Sequence, residues 1–205
     1  MSPILILASS SPYRRQQLTS LGLQVESVAP KIDESVLSAE HPQILAERLA
    51  QAKAQKIAQQ YPDAVIIGSD QTACVNVDDK SVILGKPGNI EKATLQLLQC
   101  QGKTVTFFSA VCVQHARNAK SIVRTEITEV TFRPLHEADI VAYLESEQPY
   151  DCAGSFKAEG KGILLFERLS SRDPNALIGM PLILLREILA EFEIDLLKLS
   201  TQAEA

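Results

Sequence analysis

Two adjacent arginines, Arg14 and Arg15, fall in the first turn of a predicted helix, where the backbone favours the opposite charge. The text is Ser9-Ser10-Ser11-Pro12-Tyr13-Arg14-Arg15. Ser11 is of N-cap type and Pro12 suits the first helical position, so the helix start is well marked. First-turn N–H groups lack intrahelical partners and sit at the positive end of the macrodipole. Each cation placed there costs about 0.3–1 kcal/mol. A bound polyanion reverses that sign, because N–H groups, serine hydroxyls and guanidiniums then converge on it. Taken alone, the same text also suits two arginines that point to water.

Other groups with chemical potential stand where elements end. Gly68-Ser69-Asp70-Gln71 follows the β-branched run Val65-Ile66-Ile67. Asp70 is therefore expected at the end of a buried strand, a common place for a general base or a metal ligand, although an acid there taken alone more often caps a turn. Asp33-Glu34 after Pro30 reads as a loop bearing carboxylates, and Gly85-Lys86-Pro87 as a turn able to present an ammonium to phosphate. Lys53 lies within about 40° of the apolar face of a helix spanning 42–60, so it either snorkels to water or faces a cleft. The stretch Cys152-Ala153-Gly154-Ser155-Phe156-Lys157-Ala158-Glu159-Gly160 holds too many small residues for a helix and is expected to be a shaped loop.

These residues need a scaffold, and strand and helix patterns alternate along the chain. Strands are predicted at 4–8 and 23–29, helices at 11–22 and 42–60, and a short buried strand at 65–68. A hairpin around Asp78-Asp79-Lys80 follows, then a helix near 90–100 and long strands 104–114 and 122–133 about a polar turn at 115–121. Helix 135–147, strand 162–168 and helix 181–192 complete the order, and Ser200 to Ala205 reads as a frayed polar tail. The expected fold is α/β: a mixed twisted sheet flanked by helices, residues 1–199 forming one domain or two lobes about a central cleft.

Composition narrows the function. The chain has 205 residues, 45% hydrophobic, with a net charge of −5, so a nucleic-acid polymer is an unsuitable partner and a small anion suits the local basic residues better. Cys74, Cys100, Cys112 and Cys152 form no C-x-x-C pair, and three scattered histidines give no zinc spacing. Reduced thiols are expected, with a cytoplasmic location. The first apolar run is too short for a signal sequence, and no stretch is long enough to span a membrane.

Taken in order, S-x-S-P-[aromatic]-R-R, D-E, the Lys53 helix, G-S-D-Q, G-K-P and C-A-G-S-F-K-x-E-G resemble the Maf family of nucleoside triphosphate pyrophosphatases, from about Ile4 to Leu189. The match is most similar to the YceF branch, whose proposed substrate is 7-methyl-GTP; its markers are Gln71 and Ser155–Gly160. Tyr13 stands where that branch carries Trp, and either ring can stack on a base. The resemblance implies a fold related to the inosine triphosphatase-like group and the reaction NTP + H₂O → NMP + pyrophosphate with Mg²⁺ or Mn²⁺. It implies Asp70 as the base, Glu34 with Asp70 as metal ligands, and Ser9, Ser11, Arg14, Arg15, Lys53, Lys86 and Lys157 as phosphate contacts. Tyr13, Gln71 and Glu159 would select the base. A homodimer is left open.

Each role has a physical basis. Phosphoryl transfer relies on positioning and charge screening, which the cations supply. A ring carrying the charge of 7-methylguanine gains about 0.5–2 kcal/mol from an aromatic face at Tyr13. The Glu159 carboxylate can accept from the guanine N1–H and amine, and would repel the carbonyls of thymine and uracil. If the cations serve a ligand, alanine at Arg14, Arg15, Lys53 or Lys86 is expected to impair turnover with little loss of stability. Two alternatives remain: a dTTP/UTP-directed enzyme of the same family, and a non-catalytic nucleotide-binding regulator of cell division. A P-loop is absent, as is the D-x-D of haloacid-type phosphatases.

Overall fold

Leu5–Ala8 is buried at all four positions, as a strand covered on both faces must be. This strand, β1, pairs in parallel with β2 (Val25–Ser27) and with the start of β3 (Val65–Val77), so that Leu5 faces both Val25 and Val65. The computed structural model describes residues 3–78, 80–115, 117 and 120–202. Its further elements are α1 (Pro12–Thr19), α2 (Pro42–Ala58), β4 (Lys80–Leu84), α3 (Ile90–Cys100), β5 (Thr104–His115), β6 (Lys120–Phe132) and α4 (Glu137–Glu147). They continue with β7 (Phe166–Ser170), α5 (Leu182–Glu191) and α6 (Leu196–Gln202). Strand order is β2-β1-β3-β5-β6-β7, with β4 beside β3, giving the mixed α/β sheet expected of the sequence.

The chain forms two units: Met1–Asp70 with Ser109–Glu126 and Asp173–Ala205, and Gln71–Phe108 with Ile127–Arg172. In the first, Leu5, Leu7, Val65, Ile67, Val111 and Val113 are alternate positions of three strands and share one core. That core also takes Leu18 of α1 and Leu184, Leu185, Ile188 and Leu189 of α5. Each such buried side chain contributes about 1.5–3 kcal/mol. In the second unit four phenylalanines, Phe107, Phe132, Phe156 and Phe166, meet edge to face with centroids 4.9–5.7 Å apart.

Several elements differ from expectation. Asp70 is not at a strand end: β3 runs unbroken from Val65 to Val77. The strand changes partner instead, pairing with β1 up to Gly68 and with β4, antiparallel, from Ala73. Lys161–Leu165 is a 3-10 turn, so β7 starts later than residue 162. Gly162 is the cause: its N–H donates to the Lys157 carbonyl at 3.1 Å, and a Cβ there would lie 2.3 Å from that oxygen. The 3-10 turn Pro174–Ile178 and helix α6 were not anticipated, and α6 carries Ser200–Gln202 in helical form. The expected turns and tail extend onto Asp79, Ala116, Asn118, Ala119 and 203–205, which lie outside the described residues. All four cysteines are free thiols. Among the described residues, no helix is long and apolar enough to cross a membrane.

Candidate active site

Strand alternation divides the residues that follow Ile66 between two faces of β3. Ile67 enters the core with α5, and Ser69, of the same parity, donates its Oγ–H to the Gly179 carbonyl at 3.1 Å. Gly68 and Asp70 point the other way, toward α2. A Cβ on Gly68 would lie 2.2 Å from the Ala50 carbonyl oxygen and 2.8 Å from the Ala54 nitrogen. Only glycine admits the helix this closely.

This contact brings Lys53 to Asp70. Lys53 is 5% exposed, with Leu49, Ala50, Ala54 and Ile57 of the same helix also buried. Its Nζ donates to Asp70 Oδ1 at 2.6 Å and lies 2.8 Å from Glu34 Oε1. Two carboxylates therefore share one ammonium, the arrangement a buried cation requires to offset its desolvation. Glu34 itself is on the exposed segment between β2 and α2.

The start of α1 is as the sequence foretold: Ser11 is the N-cap, accepting from the Arg14 N–H at 3.4 Å, and Pro12 follows it. Ser9 is buried and accepts the Ser11 N–H at 3.1 Å. Tyr13 is half-buried in the same turn. Arg14 does not point to water. Its Nε donates to the Gly179 carbonyl at 3.0 Å and its Nη1 to the Ser69 carbonyl at 2.9 Å. Burial lowers the pKa of this guanidinium, while the nearby Asp70 and Glu34 carboxylates oppose that shift. Arg15, the next residue of the helix, is exposed. With Ser9, Ser10, Ser11, Pro12 and Ser27 it lines an open depression of about 560 Å³.

The segment that receives Arg14 was missed in the sequence. Asp173 is fully buried and accepts from Asn175 N at 2.9 Å, Asn175 Nδ2 at 3.1 Å and Ile183 N at 2.7 Å. The fold it imposes on 173–183 aims the Gly179 carbonyl at Arg14 and Ser69, and the Asn175 carbonyl at Gln17 Nε2, 2.9 Å away. Asp followed by Pro is an N-cap with proline at the first helical position, so the signal was present.

The first unit thus holds Ser9, Ser11, Tyr13, Arg14, Arg15, Glu34, Lys53 and Asp70, while Gln71, Lys86, Lys157 and Glu159 belong to the second. Gln71 follows Asp70 on β3, and Lys86 is exposed after β4. The shaped loop around 152–162 is anchored by its own residues. Phe156 enters the aromatic cluster, and Ser155 Oγ donates to Gln96 Oε1 at 2.6 Å. The Lys157 N–H donates to Tyr143 Oη at 3.0 Å, and its Nζ caps α4 at the Glu147 carbonyl, 3.2 Å away. Burial, reinforced by Asp151, pushes the Cys152 thiol up to about 12, so it is not a ready nucleophile. Glu159 is exposed on this anchored loop.

Residues 4–192 match the family model described as Maf-like protein. The 7-methyl-GTP pyrophosphatase of Saccharophagus degradans is 52% identical over 181 residues, which cover 88% of this chain and 90% of that protein. Proteins of the same name from Colwellia psychrerythraea and Cupriavidus metallidurans are 46% and 48% identical; they cover 94% and 91% of this chain, and 94% and 92% of their own lengths. Among solved structures, the Staphylococcus aureus Ham1 protein aligns with a TM-score of 0.50 over 91% of this chain and 98% of that one. At 15% identity that likeness concerns the fold alone.

Proposed function

The chain belongs to the Maf-like protein family, and we propose that it hydrolyses 7-methyl-GTP to the nucleoside monophosphate and pyrophosphate. The relatives described above carry that activity in their names. The observation that supports it best in this chain is the Glu34–Lys53–Asp70 cluster, with Arg14 close enough to feel both carboxylates.

In this reading a water attacks the α-phosphorus. The water oxygen forms the new P–O bond, the α–β bridging bond breaks toward pyrophosphate, and Asp70 takes the water's proton. Lys53 fixes the Asp70 carboxylate, while Arg15, Ser9, Ser11 and the first-turn N–H groups of α1 screen the phosphates. Arg14 contributes charge from a fixed position. Lys157 holds the base-reading loop and offers a further positive charge.

Glu34 and Asp70 would hold Mg²⁺ or Mn²⁺. Their oxygens already converge on one cationic nitrogen, and an all-oxygen donor pair suits these ions. Among the described residues no group of three or more His, Cys, Asp or Glu is poised as a metal site. Such an ion, when bound, would neutralise charge developing on the phosphates.

A panel of 7-methyl-GTP, GTP, dTTP and UTP with pyrophosphate detection tests the proposal. The expected result is the highest kcat/KM for 7-methyl-GTP with pyrophosphate as the released product. Binding without turnover, or release of single phosphate, would overturn it.

A further inference from the structure

The carboxylate of Glu34 comes from an exposed segment, yet it is 2.8 Å from the buried Lys53 ammonium. Residues 31–39 contribute no fully buried side chain, and both Lys31 and Ala39 take positive φ, 45° and 57°. Packing therefore does not hold this segment. Arg48, one and a half turns before Lys53 on α2, does. Its Nε donates to Glu40 Oε1 at 2.6 Å, and its Nη2 donates to Glu40 Oε2 at 2.8 Å and to the Ser35 carbonyl at 2.9 Å. Glu40 Oε2 also accepts the Leu37 N–H at 3.0 Å, and Asp33 Oδ1 accepts the Ser35 N–H at 2.9 Å. The Glu40 side chain is only 5% exposed.

We propose that Arg48 is a positioning residue, which clamps residues 33–40 through Glu40 and the Ser35 carbonyl and so delivers the Glu34 carboxylate to Lys53 and Asp70. The planar fork of arginine engages both carboxylate oxygens at once, which a lysine ammonium cannot reproduce. Because the Ser35 carbonyl adjoins Glu34 in the chain, the clamp acts one peptide away from the carboxylate it places. This inference rests on the role given to Glu34 above.

The test uses Mn²⁺ as probe, its free concentration read by electron paramagnetic resonance, together with amide exchange of 33–40. Variants are Arg48→Ala, Arg48→Lys, Glu40→Gln, Glu34→Ala and the Arg48→Ala/Glu34→Ala pair. Arg48→Ala should speed exchange in 33–40 and weaken Mn²⁺ binding by roughly 10-fold, the low end for a residue that orients a ligand. Glu34→Ala should weaken binding at least as much, and the double variant no further. Arg48→Lys and Glu40→Gln should fall between wild type and Arg48→Ala. Weakened binding in Glu34→Ala with wild-type binding in Arg48→Ala, or additive losses in the pair, would overturn the clamp alone. Unchanged Mn²⁺ binding in Glu34→Ala would overturn both the clamp and the role of Glu34.

Discussion

Lys53 holds two carboxylates on one ammonium, and the two lie in different settings: Asp70 is buried and Glu34 is exposed. The buried one suits a base that must not wander, since a misplacement of about 1 Å can cost about 100-fold. Asp70→Asn should therefore lower kcat by about 10²–10⁴-fold while nucleotide still binds, as steady-state kinetics and equilibrium titration would show. Near-normal kcat would remove Asp70 from that role. The adjacent arginines should separate from each other. Arg14→Ala removes the guanidinium donors of the Ser69 and Gly179 carbonyls, leaving Gly179 only the Ser69 Oγ–H, and should cost about 1–3 kcal/mol in denaturant unfolding, contrary to the small effect expected for every cation from the sequence. Arg15→Ala, at an exposed position, should change stability by no more than about 0.5 kcal/mol and reveal itself in kinetics. Residue type and spacing made both arginines visible; their division of labour was not legible, because the acceptors of Arg14 are backbone groups 55 and 165 positions away.

Elements explain why these side chains meet. The crossing of α2 over β3 depends on Gly68, so Gly68→Ala should push the helix off the strand. Overpacking of this kind costs about 1–3 kcal/mol, and it should lower turnover as well because Lys53 moves with the helix. A stable variant with wild-type kcat would show the crossing to be irrelevant to the site. Element positions were largely legible where local signals suffice: α3 occupies the expected 90–100, capped by Asn89, and the start of α1 follows from Ser11 and Pro12. Legibility failed where a distant partner decides. β3 continues past Gly68 because β4 takes over its pairing, and residues 173–180 fold around a buried carboxylate rather than a hydrophobic period.

The loop that carries Glu34 has its own acid response. Hydrogen bonding from Arg48 lowers the Glu40 pKa from 4.5 to about 2, and Asp33 is lowered chiefly by the Ser35 N–H. A carboxylate depressed on folding contributes stability that is present above its unfolded pKa and lost as pH falls through its folded one. The Glu40 contribution should therefore fade between pH 4.5 and about 2. Urea midpoints across that window should fall less steeply in Glu40→Gln than in wild type, and identical slopes would contradict the assignment.

At the scale of the molecule, an acidic protein of net charge −5 gathers Arg14, Arg15 and Lys53 in one unit, and bears Glu159 on an anchored loop of the other. An exposed carboxylate is ordinarily just solvated charge. Here Phe156, Ser155 and the glycines of the same loop spend packing and hydrogen bonds on fixing its backbone, which a purely solvated loop does not need. Gly162 admits the Lys157 carbonyl, where a Cβ would lie 2.3 Å from the oxygen. That investment supports a directed role for Glu159 toward a donor edge such as the guanine N1–H and amine. Glu159→Gln keeps the size and removes the charge, so it should narrow the preference for 7-methyl-GTP over dTTP and UTP by a factor corresponding to about 1–3 kcal/mol. Tyr13→Ala should act differently. It should erode discrimination between 7-methyl-GTP and GTP, by up to about 0.5–2 kcal/mol, because only the methylated ring carries the charge that an aromatic face attracts. Ratios of kcat/KM across the four nucleotides measure both effects. If Glu159→Gln leaves the ranking intact, or if the wild type favours dTTP and UTP, base selection by this loop is wrong even where pyrophosphate release stands.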